Sequence, residues 1–141
     1  MKLLVVDSST AIKWFTIEPD SSKALRLLEQ GYRLGAPDLV IAETANALRR
    51  KQRMNALAAT AVVEAVSGMA RLFDELVPSK ALVADAIAMS QYLDQSVYDC
   101  LYVAACRNLG APLITSDGRF VRKLARTPYA KDVIRLDDWK G

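Results

Sequence analysis

The chain has 141 residues, of which 52% are hydrophobic and 25% charged, and its formal net charge is +3. This length suits one globular domain with its own core and is short for two, so residues 1–141 are expected to form a single domain. No apolar run approaches the roughly 20 residues of a membrane-spanning helix, and residues 1–7 are too short and too acidic for a secretory signal. We therefore expect a cytoplasmic protein that makes no contact with a membrane.

The sequence contains no histidine. This excludes Ser–His and Cys–His nucleophile pairs, the HExxH zinc site and histidine-based ribonuclease chemistry. The two cysteines, Cys100 and Cys106, lie on one predicted helix at a spacing that prevents a local disulfide, and are expected to be buried thiols. Any catalysis must use carboxylates, hydroxyls or a bound metal.

Short apolar runs predict β-strands, and longer segments with apolar residues at helical spacing predict helices between them. The predicted strands lie over 2–7, 32–37, 74–78, 111–117 and 132–136. Between the first and third strands, the predicted helices lie over 8–15, 21–30, 37–53 and 56–72, and Gly31 is the C-terminal cap of the second. The remaining helices are predicted over 79–93, 96–110 and 118–126. This alternation predicts a three-layer α/β/α sandwich with a mostly parallel central sheet and right-handed crossovers.

Four carboxylates stand out because each lies at a strand end or within an uncharged segment. Asp7 and Asp117 follow two predicted strands, while Glu43 and Asp99 are the only charged residues within 39–48 and 95–106. Ligands gather at the carboxyl ends of parallel strands. Clustered carboxylates remain ionised only beside a cation, and an all-oxygen ligand set suits Mg²⁺, with Mn²⁺ as a substitute. The four acids therefore predict a divalent-metal site.

These acids also have ordinary structural explanations. Asp7 and Asp117 could each cap the helix that follows, and Ser96 with Asp99 has the spacing of a capping box. Glu43 is harder to explain, because a carboxylate inside an apolar helix segment needs a partner. Capping and metal binding both remain open for the other three acids.

Two segments without acidic residues concentrate the positive charge. Residues 44–63 carry four cations and residues 118–131 carry five. Each segment could be a solvated helix face, or it could track the phosphate backbone of a nucleic acid beside the metal site. Hydrolysis of a phosphodiester by metal-activated water requires no histidine. The candidate RNA-binding residues are Arg49, Arg50, Arg53, Arg119 and Arg122.

Four segments resemble the motifs of PIN-domain ribonucleases, and more narrowly those of the VapC-type toxins of bacterial toxin–antitoxin pairs. They are VVDSSTAIKWF, APDLVIAETANALRR, SVYDCLYVAAC and LITSDGRF, which follow the family's order over nearly the whole chain. The resemblance implies Mg²⁺-dependent cleavage of RNA, a homodimer, and inhibition by a cognate antitoxin whose C-terminal segment lies over the active site. It assigns the acidic metal pocket to Asp7, Glu43, Asp99 and Asp117, supported by Ser9, Thr115 and Asn46. Gly118 departs from the pattern, because a polar or acidic residue often follows the last Asp.

The resulting hypothesis is a metal-dependent endoribonuclease. In it Asp7, Glu43 and Asp99 hold the principal Mg²⁺, Asp117 serves a second ion or orients the water, and the Thr115 hydroxyl assists. One alternative is a receiver-like phosphoryl-acceptor or phosphatase domain, which would need a further acid pair and a strand-end lysine that are not evident. The other is a non-catalytic binding module in which the acids only cap helices or form salt bridges.

Overall fold

A sheet of five parallel strands, in the order β3-β2-β1-β4-β5, forms the centre of the molecule. The computed structural model describes residues 1–141. The strands are β1 (Lys2–Val6), β2 (Tyr32–Pro37), β3 (Glu75–Val77), β4 (Leu113–Thr115) and β5 (Val133–Arg135). The helices are α1 (Ser8–Ala11), α2 (Ser21–Leu25), α3 (Leu39–Arg53), α4 (Ala59–Met69), α5 (Val83–Leu93), α6 (Val97–Leu109) and α7 (Gly118–Leu124).

The strand order places helices on both faces of the sheet. The chain runs from β1 to β3 in one direction, and then crosses back to β4 on the other side of β1. Since such crossovers are right-handed, α1–α4 cover one face and α5–α7 cover the other. The predicted three-layer sandwich is confirmed, and its sheet is parallel throughout rather than mostly parallel.

The helix predictions hold in position and differ mainly at the ends. The predicted helices over 8–15, 21–30 and 56–72 each continue their α-helix as one 3-10 turn, over Ile12–Trp14, Arg26–Leu28 and Ala70–Leu72. The predicted helix over 79–93 instead begins with a 3-10 turn, Ser79–Ala81. Gly110 (φ +63°) caps α6 in a left-handed conformation, as predicted. The prediction of Gly31 as a cap is wrong, because the preceding segment ends at Leu28 with Glu29 as its cap, and Gly31 (φ +103°) lies in the turn that follows. Apolar periodicity locates such segments but does not separate the two helix types.

The core lies on both sides of the two central strands. Leu4, Val5 and Val6 of β1 and Leu113 and Ile114 of β4 are all fully buried, as expected for parallel strands covered on both faces. The apolar run in each strand is therefore explained by burial on two sides. The buried strands are a rigid support for the residues that follow their ends.

Helix α6 is the most deeply buried helix, with every residue from Cys100 to Cys106 buried. Both cysteines are free and buried, as predicted. Burial raises the pKa of the Cys100 thiol to about 11, and it also raises the pKa of Cys106. These thiols are consequently packing groups rather than nucleophiles. No helix in the structure is both long enough and apolar enough to cross a membrane.

Candidate active site

The candidate site lies where the direction of the chain through the sheet reverses, between β1 and β4. These strands are adjacent and parallel, with Val6 opposite Ile114. Continuing that register sets Asp7 beside Thr115, and Asp117 follows two residues later. Open parallel sheets bind ligands at this point, because the loops leaving the two strands diverge there.

Asp7 is buried, with 8% of its surface exposed, and it caps α1. Its Oδ1 accepts hydrogen bonds from the Ser9 hydroxyl at 2.7 Å and the Thr10 amide at 3.1 Å, and its Oδ2 accepts one from the Thr115 hydroxyl at 2.5 Å. Burial raises the pKa of Asp7 to about 6, although these bonds act in the opposite direction. The capping prediction is confirmed, but capping does not require a carboxylate this deeply desolvated.

Asp117 is connected to Asp7 through Thr115. Its Oδ1 accepts hydrogen bonds from the amides of Arg119 and Phe120, both at 3.1 Å, so Asp117 caps α7 as predicted. The Asp117 amide donates to the Thr115 hydroxyl oxygen at 3.0 Å, while that hydroxyl donates to Asp7. One threonine therefore fixes the relative positions of the two strand-end acids.

Glu43 accepts a 2.6 Å hydrogen bond from the Tyr102 hydroxyl, which reaches it from α6. Tyr102 is 3% exposed, and its pKa is raised by burial and then by the charge of Glu43, so the hydroxyl keeps its proton and donates it. The charge of Asp7 acts on the same hydroxyl in the same direction. Glu43 therefore has the partner that the sequence required, and this partner is a neutral hydroxyl rather than a cation.

Asp99 lies one helical turn before Tyr102 on α6. Its amide donates to the Ser96 hydroxyl at 3.1 Å, which is one half of the predicted capping box. The other half is absent, because the Asp99 Oδ2 accepts from the Gln95 side chain at 2.8 Å instead. Gln95 and Asp117 both line a cavity of about 380 Å³. Asp99 is thus connected through Gln95 to the cavity that Asp117 borders.

The oxygen atoms of these acids have the chemistry of Mg²⁺ ligands, but they do not form a closed site. One carboxylate oxygen in each of Glu43, Asp99 and Asp117 accepts no hydrogen bond. Each acid therefore has an oxygen atom available as a metal ligand. No three Asp, Glu or Cys side chains of the chain are arranged so that together they could hold one metal ion. The residues therefore fit a divalent cation by type, and binding would require their side chains to turn toward it.

The basic residues of α7 lie next to the acids, whereas those of α3 are farther away. Arg119 and Lys123 line the same cavity as Asp117. Arg50 lies two turns beyond Glu43 on the same face of α3, about 10 Å along the axis. All five arginines predicted to bind RNA are exposed, and none forms an ion pair; they are Arg49, Arg50, Arg53, Arg119 and Arg122. Asn46, one turn past Glu43, is exposed and makes no side-chain hydrogen bond.

Three residues in or next to the site carried no clear signal in the sequence. Gln95 precedes the helix that holds Asp99, and only the folded turn brings its amide to that carboxylate. Tyr102 lies three residues after Asp99 and so shares its helix face, but its apolar surroundings favoured a packing role. Arg135 reaches the start of α7 from β5, a pairing that depends on tertiary structure alone.

A family model described as the PIN domain matches residues 4–125. A search of curated proteins found no match.

Solved structures with the same fold are distant in sequence. PAE2754 from Pyrobaculum aerophilum is 18% identical, with a TM-score of 0.71 over 96% of this chain and 90% of that one. A toxin–antitoxin complex from Klebsiella pneumoniae is 16% identical, with a TM-score of 0.61 over 94% and 97%. VapC20 of Mycobacterium tuberculosis, a toxin that cleaves the sarcin–ricin loop, is 20% identical, with a TM-score of 0.61 over 84% and 93%. At these identities the likeness is one of fold.

Proposed function

Because this chain belongs to the PIN-domain family, we propose that it is a Mg²⁺-dependent endoribonuclease and the toxin of a toxin–antitoxin pair. The observation that carries the proposal is the buried Asp7 at the reversal point of the sheet, which is linked through Thr115 to Asp117. The charges of Asp7 and Glu43 both act on the Tyr102 hydroxyl, which supports a common site for these two acids. A desolvated carboxylate without a cation costs stability, and a divalent ion at this position would recover that cost.

Asp7, Glu43 and Asp99 would hold the principal ion, and Asp117 would serve a second ion or orient the attacking water. A bound divalent ion lowers the pKa of water and stabilises the departing oxygen of a phosphodiester. The chain's own hydroxyls keep the ligands in position: Ser9 and Thr115 donate to Asp7. Holding the carboxylates by fixed donors reduces the rearrangement needed when substrate binds.

The positive charge beside the acids supports a nucleic-acid substrate. Arg119 and Lys123 line the cavity next to Asp117, so a phosphate backbone that crosses the acids would meet cations on α7. Arg49, Arg50 and Arg53 would extend this contact along α3. RNA held in this way should bind less tightly as salt increases, with a slope of about −0.7 per phosphate on a single strand.

The partner and the assembly are also proposals. The likeness in fold to a Klebsiella pneumoniae toxin–antitoxin complex supports a cognate antitoxin, and the family resemblance suggests a homodimer. The lack of a secretory signal in the sequence suggests that this homodimer acts in the cytoplasm. An antitoxin segment that covers the site would need to compete with RNA for α7. Coexpression of the small gene product encoded next to this chain should restore growth to cells in which this chain alone is toxic.

The decisive experiment is cleavage of RNA by the purified protein with Mg²⁺ and with EDTA. Wild type should cleave only with the metal, and Mn²⁺ should replace Mg²⁺. Asp99→Asn should reduce cleavage by more than about 100-fold, because loss of a metal ligand exceeds the 10–100-fold typical of supporting residues. Asp85→Asn, which removes an exposed carboxylate on α5, should cleave like wild type.

Two controls make the result interpretable. The melting temperature of each variant shows whether the fold survives, so that lost activity is not lost structure. A phosphodonor such as acetyl phosphate should label no carboxylate, which separates a nuclease from a phosphoryl-acceptor domain. Undiminished Mg²⁺-dependent cleavage by a folded Asp7→Asn/Asp99→Asn protein would falsify the proposal.

A further inference from the structure

Two guanidinium groups from different elements meet beside Gly118, at the start of α7. A methyl group on the Gly118 Cα would lie 3.3 Å from Nη1 of Arg122 and 3.4 Å from Cζ of Arg135. Arg122 belongs to α7, whereas Arg135 ends β5, the edge strand next to β4. A side chain at Gly118 would therefore press against both guanidinium groups.

The charge of this pair is only partly balanced. The side chain of Arg122 makes no ion pair or hydrogen bond within the chain, and the side chain of Arg135 forms one ion pair, with Asp137 at 3.3 Å. The side chains of Arg135 and Asp137 are 44% and 47% exposed, so their ion pair contributes little stability. Two adjacent guanidinium groups with one exposed carboxylate therefore leave a surplus positive charge and several free N–H donors. This arrangement favours an anion with several acceptor oxygens.

The pair lies next to the candidate active site but apart from its cavity. Gly118 directly follows Asp117, whose carboxylate caps the same helix. Arg119 and Lys123 line the cavity beside Asp117, whereas Arg122 does not and lies by Gly118 instead. The basic residues of α7 are thus divided between two positions, one at the acids and one toward β5.

We propose that Arg122 and Arg135 together bind one backbone phosphate of the RNA, distinct from the phosphate that is cleaved. The inference rests on the proposed ribonuclease function and adds a subsite to it. Guanidinium groups bind phosphate through paired N–H donors, and two of them can share one phosphate. A phosphate held there would align the strand across Asp117 and the cavity, which would assign Arg135 a role that its position in the sequence does not reveal.

A double-mutant cycle tests whether the two arginines share one phosphate. Binding of a short fluorescein-labelled oligouridylate is measured by fluorescence anisotropy at several KCl concentrations. EDTA and an Asp99→Asn background together keep cleavage of the probe to a minimum. The variants are Arg122→Gln, Arg135→Gln and both together. Arg71→Gln, which removes an exposed cation elsewhere on the surface, is the matched control. Melting temperatures confirm that each variant is folded.

If the phosphate is shared, each single variant weakens binding several-fold and the double variant weakens it by less than the product of the two losses. The salt slope of the double variant falls by about 0.7, the value for one phosphate on a single strand. The shared site would be overturned by any of three results. The losses of affinity in the two single variants multiply in the double variant, the salt slope changes by about twice 0.7, or the losses are no larger than that of Arg71→Gln.

Cleavage assays separate this inference from the function on which it rests. Wild-type cleavage of RNA together with independent arginine effects would remove the subsite and leave the nuclease. Coupling between the two arginines, together with a wild-type protein that does not cleave RNA with Mg²⁺, would retain the anion site and contradict the proposed function.

Discussion

Replacement of Asp7 by Asn should change how the stability of the protein depends on pH. The pKa of Asp7 is raised by burial from 3.8 to about 6. Below pH 3.8 the carboxyl is protonated in both the folded and the unfolded chain, so its burial has no charge cost. As the pH rises toward 6 and beyond, the unfolded chain releases the proton more readily, and the folded state loses stability.

The magnitude follows from the size of the shift. Each pKa unit corresponds to 1.36 kcal/mol, so a shift from 3.8 to about 6 lowers stability by roughly 3 kcal/mol between acid and neutral pH. Roughly 2 kcal/mol of this change falls between about pH 4.5 and pH 7.5, where the folded protein can be studied. Asn cannot ionise, so the variant lacks this loss. Asn also makes different hydrogen bonds from Asp, and these change the free energy of unfolding by an amount that does not depend on pH.

Urea denaturation in EDTA across this pH range measures the effect. The free energy of unfolding of Asp7→Asn, minus that of wild type, should increase by about 2 kcal/mol as the pH rises. The same series on Asp85→Asn, an exposed carboxylate, corrects for the loss of one charge. A difference that stays constant with pH would refute the claim that folding desolvates Asp7, and a difference that decreases would mean that its environment stabilises the charge.

Three further substitutions test neighbouring parts of the structure. Tyr102→Phe removes the donor to Glu43 and should weaken Mn²⁺ binding, measured by calorimetry, by about 10–100-fold, whereas Tyr98→Phe, at a side chain that is 62% exposed, should leave it unchanged. Thr115→Val removes a donor to Asp7 and should lower the free energy of unfolding by about 1–3 kcal/mol at neutral pH in urea titrations. Ile114→Ala leaves a cavity in the centre of the sheet and should cost about 2–5 kcal/mol by the same measurement; a loss below about 1 kcal/mol would contradict its full burial.

The fold could be predicted because its signals are local and consistent. The apolar run before Asp7 is short and continuous, and a shorter one ends at Ile114 before Asp117. Both are followed by helices, which is the pattern of buried parallel strands. Ser96 and Gly110 mark the two ends of α6 by their preferred cap conformations. The 3-10 turns escaped prediction, because both helix types place apolar residues on one side over a few residues.

The candidate site could be predicted in its residue types but not in its hydrogen bonds. The acids that follow predicted strands can be recognised in the sequence. The topology of a parallel sheet then brings them to one edge, so their proximity can be predicted as well. The partners of Glu43 and Asp99 depend on how α6 faces α3 and on the turn before α6, and no sequence pattern specifies either contact. The same holds for Arg135, which lies beside Arg122 only because β5 follows β4 in the sheet.

The central claim is that these carboxylates hold one divalent ion, and crystals soaked in Mn²⁺ test it most directly. The anomalous difference map should contain a peak within bonding distance of Asp7 and Asp99, with Glu43 or Asp117 turned toward it, at the roughly 2.0–2.2 Å expected for oxygen ligands of such ions. A map in which Mn²⁺ binds only elsewhere on the protein, or one that contains no peak between these acids, would contradict the account.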